Sequence, residues 1–135
     1  MDFTIGNETD YQYILENDHH LMKRLIKRKL SDGEIIFIHH HSKRVGWLRY
    51  GYFWDNIPFI NLLHIDEEYR GKGIGKEVMR FFEKMMAEKK FNMIMTSTLA
   101  DENAQHFYRK CGFKDAGCLL IDNEAAELFM IKNIK

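Results

Sequence analysis

Seven residues in the middle of the chain combine backbone freedom with positive charge. The segment reads Arg70-Gly71-Lys72-Gly73-Ile74-Gly75-Lys76, with glycine at alternate positions and three cations. It follows an apolar segment typical of a strand and precedes a long amphipathic segment typical of a helix. Because the first backbone N–H groups of a helix have no partners inside the helix, this order of strand, glycine loop and helix predicts a binding site for an anion.

Glycine spacing excludes two common phosphate-binding loops. A Walker loop needs glycine at the position of Arg70 and Ser or Thr after its lysine, but here Glu77 follows Lys76. A dinucleotide-binding fingerprint has its third glycine three positions after the second, whereas Gly75 stands two positions after Gly73. The segment is therefore an anion loop of another kind, or a glycine-rich turn that only connects two elements.

The remaining pattern, Arg-x-x-Gly-x-Gly over residues 70–75, resembles the acyl-CoA loop of the GNAT superfamily of N-acetyltransferases. The resemblance extends upstream to Leu63-His64-Ile65 on the preceding strand. Downstream, residues 104–113 are similar to the family pattern A-x-x-(F/L)-Y-x-x-x-G-F through Ala104, Phe107, Tyr108, Gly112 and Phe113. With the order of the predicted elements, the resemblance covers nearly the whole chain.

The resemblance implies that the chain binds acetyl-CoA as its acetyl donor. The backbone amides of residues 70–76 would hold the pyrophosphate, aided by the helix dipole and by the charges of Lys72 and Lys76. The backbone of Leu63, His64 and Ile65 would pair with the pantetheine arm in the manner of an added strand.

Two further positions near the tyrosine bear on donor binding. Asp101 stands where relatives often carry an asparagine that contacts the pantetheine arm. An aspartate can still cap the helix and accept a hydrogen bond, but it has no amide group to donate one. Asn103 is close enough in sequence to replace that donor. Lys110 is either a ligand of a CoA phosphate or an exposed lysine of the helix.

Transfer of an acetyl group from a thioester to an amine needs a neutral amine, donors for the oxyanion and a proton for the departing thiolate. The resemblance implies that Tyr108 is the general acid that supplies this proton. The alternative is a tyrosine that only packs on the inner face of its helix. A backbone N–H of residues 63–65 is implied as the oxyanion donor.

The sequence does not identify a general base. Many relatives carry a glutamate on the strand before the loop, where this chain has Phe59 and Asn61 on one face and His64 on the other. Asn61 could orient a water molecule, and His64 could accept a proton near neutral pH. A chain of water molecules, or an amine that arrives neutral, stays equally open.

The implied activity is N-acetyltransfer from acetyl-CoA to a primary amine by direct attack. The alternative is a non-catalytic module that binds or senses acyl-CoA. The sequence does not name the acceptor, which is a small molecule or a protein, and a homodimer is in keeping with relatives that are often dimers.

Composition narrows the range of partners. Lysine plus arginine (20) balance aspartate plus glutamate (20), so bulk charge gives no reason to expect a nucleic-acid partner. No apolar run approaches the roughly 18 to 20 residues that span a bilayer, so no membrane partner is expected. Cys111 and Cys118 form no paired pattern, which favours a reducing, cytoplasmic location.

Two side-chain clusters allow a functional and a structural interpretation. His39, His40 and His41 suggest a metal site, but adjacent strand residues point to opposite faces, so no metal is expected. Aromatic residues crowd positions 47–54 and, with Arg49 and Asp55, would form either an acceptor pocket or ordinary core with an exposed or dimer-buried patch. These aromatic residues are Trp47, Tyr50, Tyr52, Phe53 and Trp54.

Periodicity predicts a single α+β domain over residues 1–135. The predicted helices are one that runs from a cap at Asn7 or Thr9 towards Asp18, a second over 19–30, a third over 73–90, and a segment capped by Asp101 and ended by Gly112. The predicted strands are 3–5, 34–40, 44–53, 58–66, 91–98, 113–121 and 127–134. The resemblance implies a GNAT-like mixed, mostly antiparallel central sheet, flanked by helices and splayed at the acyl-CoA site.

Overall fold

The computed structural model describes all 135 residues. The strands are β1 (Asp2–Ile5), β2 (Ile35–His40), β3 (Lys43–Phe53), β4 (Ile57–Ile65), β5 (Met93–Leu99), β6 (Lys114–Leu119) and β7 (Glu127–Asn133). The helices are α1 (Tyr11–Asn17), α2 (Ile26–Ser31), α3 (Ile74–Glu88) and α4 (Ala104–Lys110). Short 3-10 turns lie at Glu8–Asp10, Lys23–Leu25 and Glu67–Tyr69.

The strands form a seven-stranded sheet in the order β1-β2-β3-β4-β5-β7-β6. The pairs β1–β2, β2–β3, β5–β7 and β6–β7 are antiparallel, and β4–β5 is parallel. The predicted fold class, α+β with a mixed, mostly antiparallel sheet flanked by helices, is confirmed. None of the helices is both long and apolar enough to cross a membrane.

The chain divides into two compact units, which are described separately. The first unit contains residues 1–50 and 62–71, and the second contains residues 51–61 and 72–135. The prediction of one domain over residues 1–135 stays a prediction.

The core of the first unit forms where α1 and α2 pack on β2 and β3. Its fully buried members are Ile14, Ile26, Leu30, Ile35, Phe37 and Trp47. Residues 35–38 of β2 are all buried, so this strand is covered on both faces and reads as a continuous apolar run. Burial of these side chains removes a large apolar area from water and is the main force that holds the unit together.

The predicted continuous helix over residues 19–30 is wrong. Helix α1 ends at Asn17, and Asp18 has an extended backbone with φ −96° and ψ 94°. The Asp18 carboxylate accepts hydrogen bonds from the Arg49 guanidinium at 2.9 Å, from the Trp47 indole at 3.2 Å and from the His20 backbone N–H at 3.1 Å. These donors hold the carboxylate against β3, so the chain leaves the helical path before it re-enters a helix at Ile26.

The Asp18–Arg49 pair is buried, with side chains 0% and 8% exposed. Burial by itself raises the pKa of the Asp18 carboxyl, but the hydrogen bond and positive charge of Arg49, with the donors Trp47 and His20, outweigh it. The net effect is that the pKa of Asp18 lies below its usual value. The carboxylate therefore stays charged and paired at neutral pH.

Two tight turns join β2 to β3 and β3 to β4. His41 and Ser42 have φ values of 51° and 65°, and Trp54 and Asp55 have 54° and 61°. Positive φ at both central residues is the backbone of the hairpin turns whose twist matches that of the flanking strands. Such turns favour Asn and Gly, which makes a tryptophan at this position unusual.

Gly46 allows β3 and β4 to approach each other closely. A Cβ atom at this position would lie 2.1 Å from the carbonyl oxygen of His64, well inside any real contact. Because the obstructing atom belongs to the backbone, rotation of a side chain cannot relieve the clash. The position therefore accepts only glycine without a shift of the strands.

The second unit is organised around α3, the amphipathic helix predicted after the glycine loop. Its buried residues are Ile74, Val78, Met79, Phe82 and Met86. The helix ends at Glu88, two residues before the predicted end, because Lys90 adopts a left-handed φ of 74°. The N–H groups of Phe91 and Lys90 bond the carbonyls of Met86 and Ala87, which is the Schellman arrangement.

Replacement of Arg49 by leucine should leave the Asp18 carboxylate buried without a partner in the core of the first unit. We expect the free energy of unfolding to fall by about 3–5 kcal/mol, because a buried charge without its partner is costly. Asp18→Asn added to Arg49→Leu removes the stranded charge and should restore part of the loss. Urea unfolding at pH 7 measures both variants.

The same pair should give the protein an acid-sensitive stability. A carboxyl group with a lowered folded-state pKa contributes stability that is complete above its unfolded value of 3.8 and is lost as the pH falls through the folded value. The wild type should therefore lose stability more steeply below about pH 4 than the double variant does. Parallel pH dependences of the two proteins would contradict this assignment.

Gly46→Ala should lower the free energy of unfolding by about 3 kcal/mol, because β3 and β4 must separate to admit the methyl group. Gly33→Ala is the matched control, since Gly33 has φ +70° and its nearest atom lies 3.6 Å from the added methyl. That control should lose only the about 1 kcal/mol of left-handed backbone strain. Equal losses in the two variants, measured by urea unfolding, would show that the clash at His64 is not limiting.

Candidate functional site

The glycine loop has the backbone of an anion-binding loop. Gly71 and Gly73 adopt left-handed φ values of 73° and 82°, and a Cβ at either position would meet nothing within 4 Å. Helix α3 begins at Ile74 with Gly73 as N-cap, and no side chain bonds the N–H groups of its first turn. These donors and the positive helix end therefore face open space, and the loop fits a diphosphate.

The third glycine of the loop has a different role. A Cβ on Gly75 would lie 2.8 Å from the ring of Phe107, so this position lets α3 pack closely against α4. The side chain of Ile74 is buried in the second unit, which leaves only its backbone for a ligand. The three glycines therefore have two different roles. Gly71 and Gly73 leave the backbone open to a ligand, and Gly75 lets α3 and α4 pack closely.

The cations of the loop are not equivalent. Lys72 and Lys76 are exposed. Arg70 is exposed too, but its guanidinium Nε donates to the carbonyl oxygen of Ile65 at 2.6 Å. The Arg70 side chain therefore folds back onto the end of β4 and braces the entry to the loop.

The end of β4 carries a histidine–carboxylate pair that was not predicted. His64 Nε2 lies 3.1 Å from Asp66 Oδ1, and the imidazole ring lies 4.6 Å from the Trp47 ring between centroids. An open cleft of about 650 Å³ is lined by His64, Asp66, Glu67, Glu68 and Arg70. The sequence could have indicated this pair by its spacing, because residues two apart in an extended segment lie on the same side.

Tyr108 lies on α4 and is only 5% exposed. Its phenol is hydrogen-bonded to Thr96 of β5, and the Thr96 hydroxyl lies 3.0 Å from the carbonyl oxygen of Ile60 on β4. The contact with Thr96 works against burial, since it lowers the pKa of Tyr108. Burial raises the pKa of Tyr108 to about 12, so the phenol keeps its proton at any physiological pH.

The two predicted candidates for amine deprotonation belong to different units. Asn61 is exposed and follows Ile60 directly in the second unit. His64 belongs to the first unit, where it contacts Asp66 and Trp47.

The prediction that Asp101 caps the helix of Tyr108 is wrong. The N-cap of α4 is Asn103, without a side-chain hydrogen bond, and Asp101 is exposed in the preceding turn. That turn is held instead by Glu102, whose carboxylate accepts from the Leu99 N–H, and by Gln105, whose amide donates to the Ala100 carbonyl. Lys110 is exposed near the end of α4, so it is accessible to a ligand.

The aromatic segment 47–54 separates into core and surface. Trp47 and Tyr50 are 3% and 1% exposed, and Arg49 is paired with Asp18. The structural interpretation is confirmed for these three residues, because none of them presents its side chain to an acceptor. Phe53 stays half-buried and Trp54 is 76% exposed.

The histidines of the β2–β3 hairpin make local contacts. His39 Nε2 lies 3.0 Å from the Thr4 hydroxyl, and the rings of His40 and His41 meet edge to face at 4.2 Å between centroids. No group of three or more His, Cys, Asp or Glu side chains is arranged to hold a metal ion.

The glycine loop and the helix of Tyr108 both lie within the residues that a family model matches. The sequence model of the acetyltransferase (GNAT) family matches residues 4–113, so the chain belongs to this family. It is therefore an acetyl-CoA-dependent acetyltransferase, and the resemblance found in the sequence is confirmed.

Solved structures agree at the level of the fold. Ard1 from Thermoplasma volcanium has a TM-score of 0.81 at 17% identity, over 98% of this chain and 96% of that chain. A ribosomal-protein-alanine N-acetyltransferase from Brucella melitensis has 0.78 at 18% identity, over 98% and 99%. An aminoglycoside 6′-N-acetyltransferase complexed with coenzyme A has 0.75 at 16% identity, over 100% and 98%. A search of curated protein sequences gives no significant match.

The raised pKa of Tyr108 should make the protein sensitive to alkali. A phenol whose folded-state pKa is about 12 contributes stability that is complete below its unfolded value of 10.0 and is lost as the pH rises through the folded value. Between pH 10 and pH 12 the wild type should therefore lose about 3 kcal/mol more than Tyr108→Phe. Urea unfolding across this range tests the difference, with Tyr11→Phe as the control that should follow the wild type. Parallel curves for wild type and Tyr108→Phe would contradict the burial argument.

Proposed function

We propose that the protein transfers an acetyl group from acetyl-CoA to a primary amine by direct attack. The neutral amine nitrogen forms a bond to the acetyl carbon, the carbonyl oxygen passes through an oxyanion, and the carbon–sulfur bond breaks to release the thiolate. The amine loses one proton to water, and the thiolate finally gains one. No covalent intermediate with the protein is required.

The donor would be held mainly by backbone groups. In this proposal the N–H groups of residues 70–76 bind the pyrophosphate, with Lys72 and Lys76 adding charge. The registered β4–β5 ladder consists of Phe59–Met95 and Ile60–Thr96, whereas β4 continues to Ile65. The backbone of Leu63, His64 and Ile65 lies beyond these pairs, which supports its proposed pairing with the pantetheine arm and its proposed oxyanion donor.

Two side chains complete the proposed donor site. Lys110 is exposed and suits a CoA phosphate. Asp101 is exposed as well, but as an acceptor it suits an N–H of the pantetheine arm rather than a carbonyl.

The proposed acid is Tyr108, and its buried hydrogen-bonded phenol is the observation that carries the proposal. With a pKa near 12, the phenol is a weaker acid than an ordinary thiol of pKa about 8.5. Full proton transfer to the thiolate is therefore unfavourable by about three units. We infer that Tyr108 donates a hydrogen bond to the developing sulfur charge and that the thiolate takes its proton later from water.

The amine would be deprotonated through water. In the proposal Asn61 orients that water, since its side chain is exposed one residue after Ile60. His64 stays the alternative group for accepting the proton. The acceptor stays open between a small amine and a protein amine, as the aminoglycoside and ribosomal-protein enzymes of similar fold illustrate. A cytoplasmic location is proposed with it, in keeping with two unpaired cysteines.

Tyr108→Phe should reduce kcat by about 100-fold, at the low end for a lost general acid, because the proposed role is hydrogen bonding rather than full proton transfer. CoA binding, measured by calorimetry, should be unchanged. Tyr11→Phe is the matched control and should keep its activity. Thiol release from acetyl-CoA with a panel of amines measures turnover.

Two outcomes would contradict the proposal in different ways. An unchanged kcat in Tyr108→Phe would remove the tyrosine from the chemistry. Tight CoA binding by the wild type without thiol release for any amine would favour the non-catalytic acyl-CoA-binding module instead.

A further inference from the structure

Four aromatic side chains of the second unit form a continuous surface, here called the aromatic face: Phe53, Trp54, Phe59 and Phe129. Phe53 stacks on Phe59 with 6.0 Å between centroids and 20° between planes, and Phe129 meets both rings edge-on at 6.0 Å. Trp54 extends the group, 4.7 Å from Phe53. The three phenylalanines are only partly buried and Trp54 is 76% exposed, so ring surface is left for a ligand.

The sheet positions in register with the aromatic face are neutral. Phe59 is in register with Met95, and Phe129 is in register with Ser97 on one side and Gly117 on the other. A Cβ on Gly117 would meet nothing within 4 Å, which leaves a notch beside Phe129. A ligand that lies flat on these rings therefore contacts apolar and small neutral groups first, and the carboxylates of Asp55 and Glu127 lie at the edges of the face.

Trp54, at the edge of the aromatic face, has an unfavourable backbone conformation. Its φ of 54° is rare for a bulky residue and costs on the order of 1 kcal/mol relative to asparagine or glycine. The side chain gains little burial in return, since it is 76% exposed. A strained, exposed tryptophan next to three other rings indicates selection for contact with another molecule.

The aromatic face adjoins the proposed reaction site along β4. Phe59 immediately precedes Ile60, whose carbonyl accepts from Thr96, and the Phe59 side chain lies on the opposite face of the sheet from those of Ile60 and Thr96. Asn61 lies two residues after Phe59, on the same side of a regular strand. A molecule resting on Phe59 and Phe129 can therefore place a short arm beside Asn61.

These surroundings also favour the nucleophilic form of an amine. Withdrawal of an ammonium group from water towards apolar rings disfavours its charged form, so less help from a base is needed. An aryl group gains offset-stacked or edge-to-face contacts with the exposed rings.

From these observations we propose that the acetyl acceptor is a primary amine attached to an aromatic ring by a short arm, with its ring on the aromatic face and its nitrogen beside Asn61. This inference rests on the proposed acetyltransferase function. It explains how the enzyme works without a carboxylate on β4, because the acceptor site itself promotes loss of the amine proton to water.

Thiol release with three amines tests the proposal: benzylamine, its saturated analogue cyclohexylmethylamine and the polycation spermidine. Rates are compared per concentration of neutral amine, so that differences in basicity cancel. We expect kcat/KM for benzylamine to exceed that of each of the other two at least 10-fold. Equal rates for benzylamine and cyclohexylmethylamine, or faster reaction of spermidine, would overturn the aromatic acceptor while leaving the acetyltransferase function intact.

Variants locate the effect on the aromatic face. Phe129→Leu and Phe59→Leu should raise KM for benzylamine about 10-fold with little change in kcat or in KM for acetyl-CoA. Leu120→Ala is the matched control, since Leu120 is 82% exposed outside the face and should leave all constants unchanged. An unchanged KM for benzylamine in both phenylalanine variants would place the acceptor elsewhere. Absence of thiol release with every amine would reject the proposed function and this inference together.

Discussion

Burial keeps the phenol of Tyr108 protonated, because a phenolate would lose its hydration there. The phenol contacts Thr96, and the Thr96 hydroxyl donates a hydrogen bond to the carbonyl of Ile60. These contacts attach α4 to both strands of the parallel pair. The proposed positions of the sulfur, the amine and the ordered water all follow from where this short chain of hydrogen bonds ends on β4.

The sequence was sufficient to predict the elements whose conformation depends on neighbouring residues in the chain. The stripe of α3, the two hairpin turns and the open glycines of the loop follow from periodicity and from residue type over a few positions. The helix break at Asp18 did not follow, because its cause is Arg49, 31 residues further along the chain. Residues 19–30 taken alone favour a helix, and tertiary contacts override this helix propensity.

For the candidate site, the sequence predicted only the parts that a short motif contains. Tyr108 and the loop were found through a linear motif, whereas the aromatic face requires the register of β4, β5 and β7 to bring Phe59 and Phe129 together. The error at Asp101 has a local cause instead, because Glu102 and Gln105 hold the turn before the helix. Gly75 was attributed to ligand approach, since nothing in the sequence shows that Phe107 packs against it.

The two tryptophans of the chain occupy opposite environments. Trp47 is 3% exposed in the core of the first unit, and Trp54 is 76% exposed on a turn of the second unit. Indole emission depends on solvent contact, so the protein carries two intrinsic fluorophores of different colour, one in each unit. Trp54 alone is open to collisional quenchers, while Trp47 emission reports whether the Asp18 network is intact. The protein therefore contains, without labelling, separate optical reporters for the integrity of its first unit and the occupancy of its second.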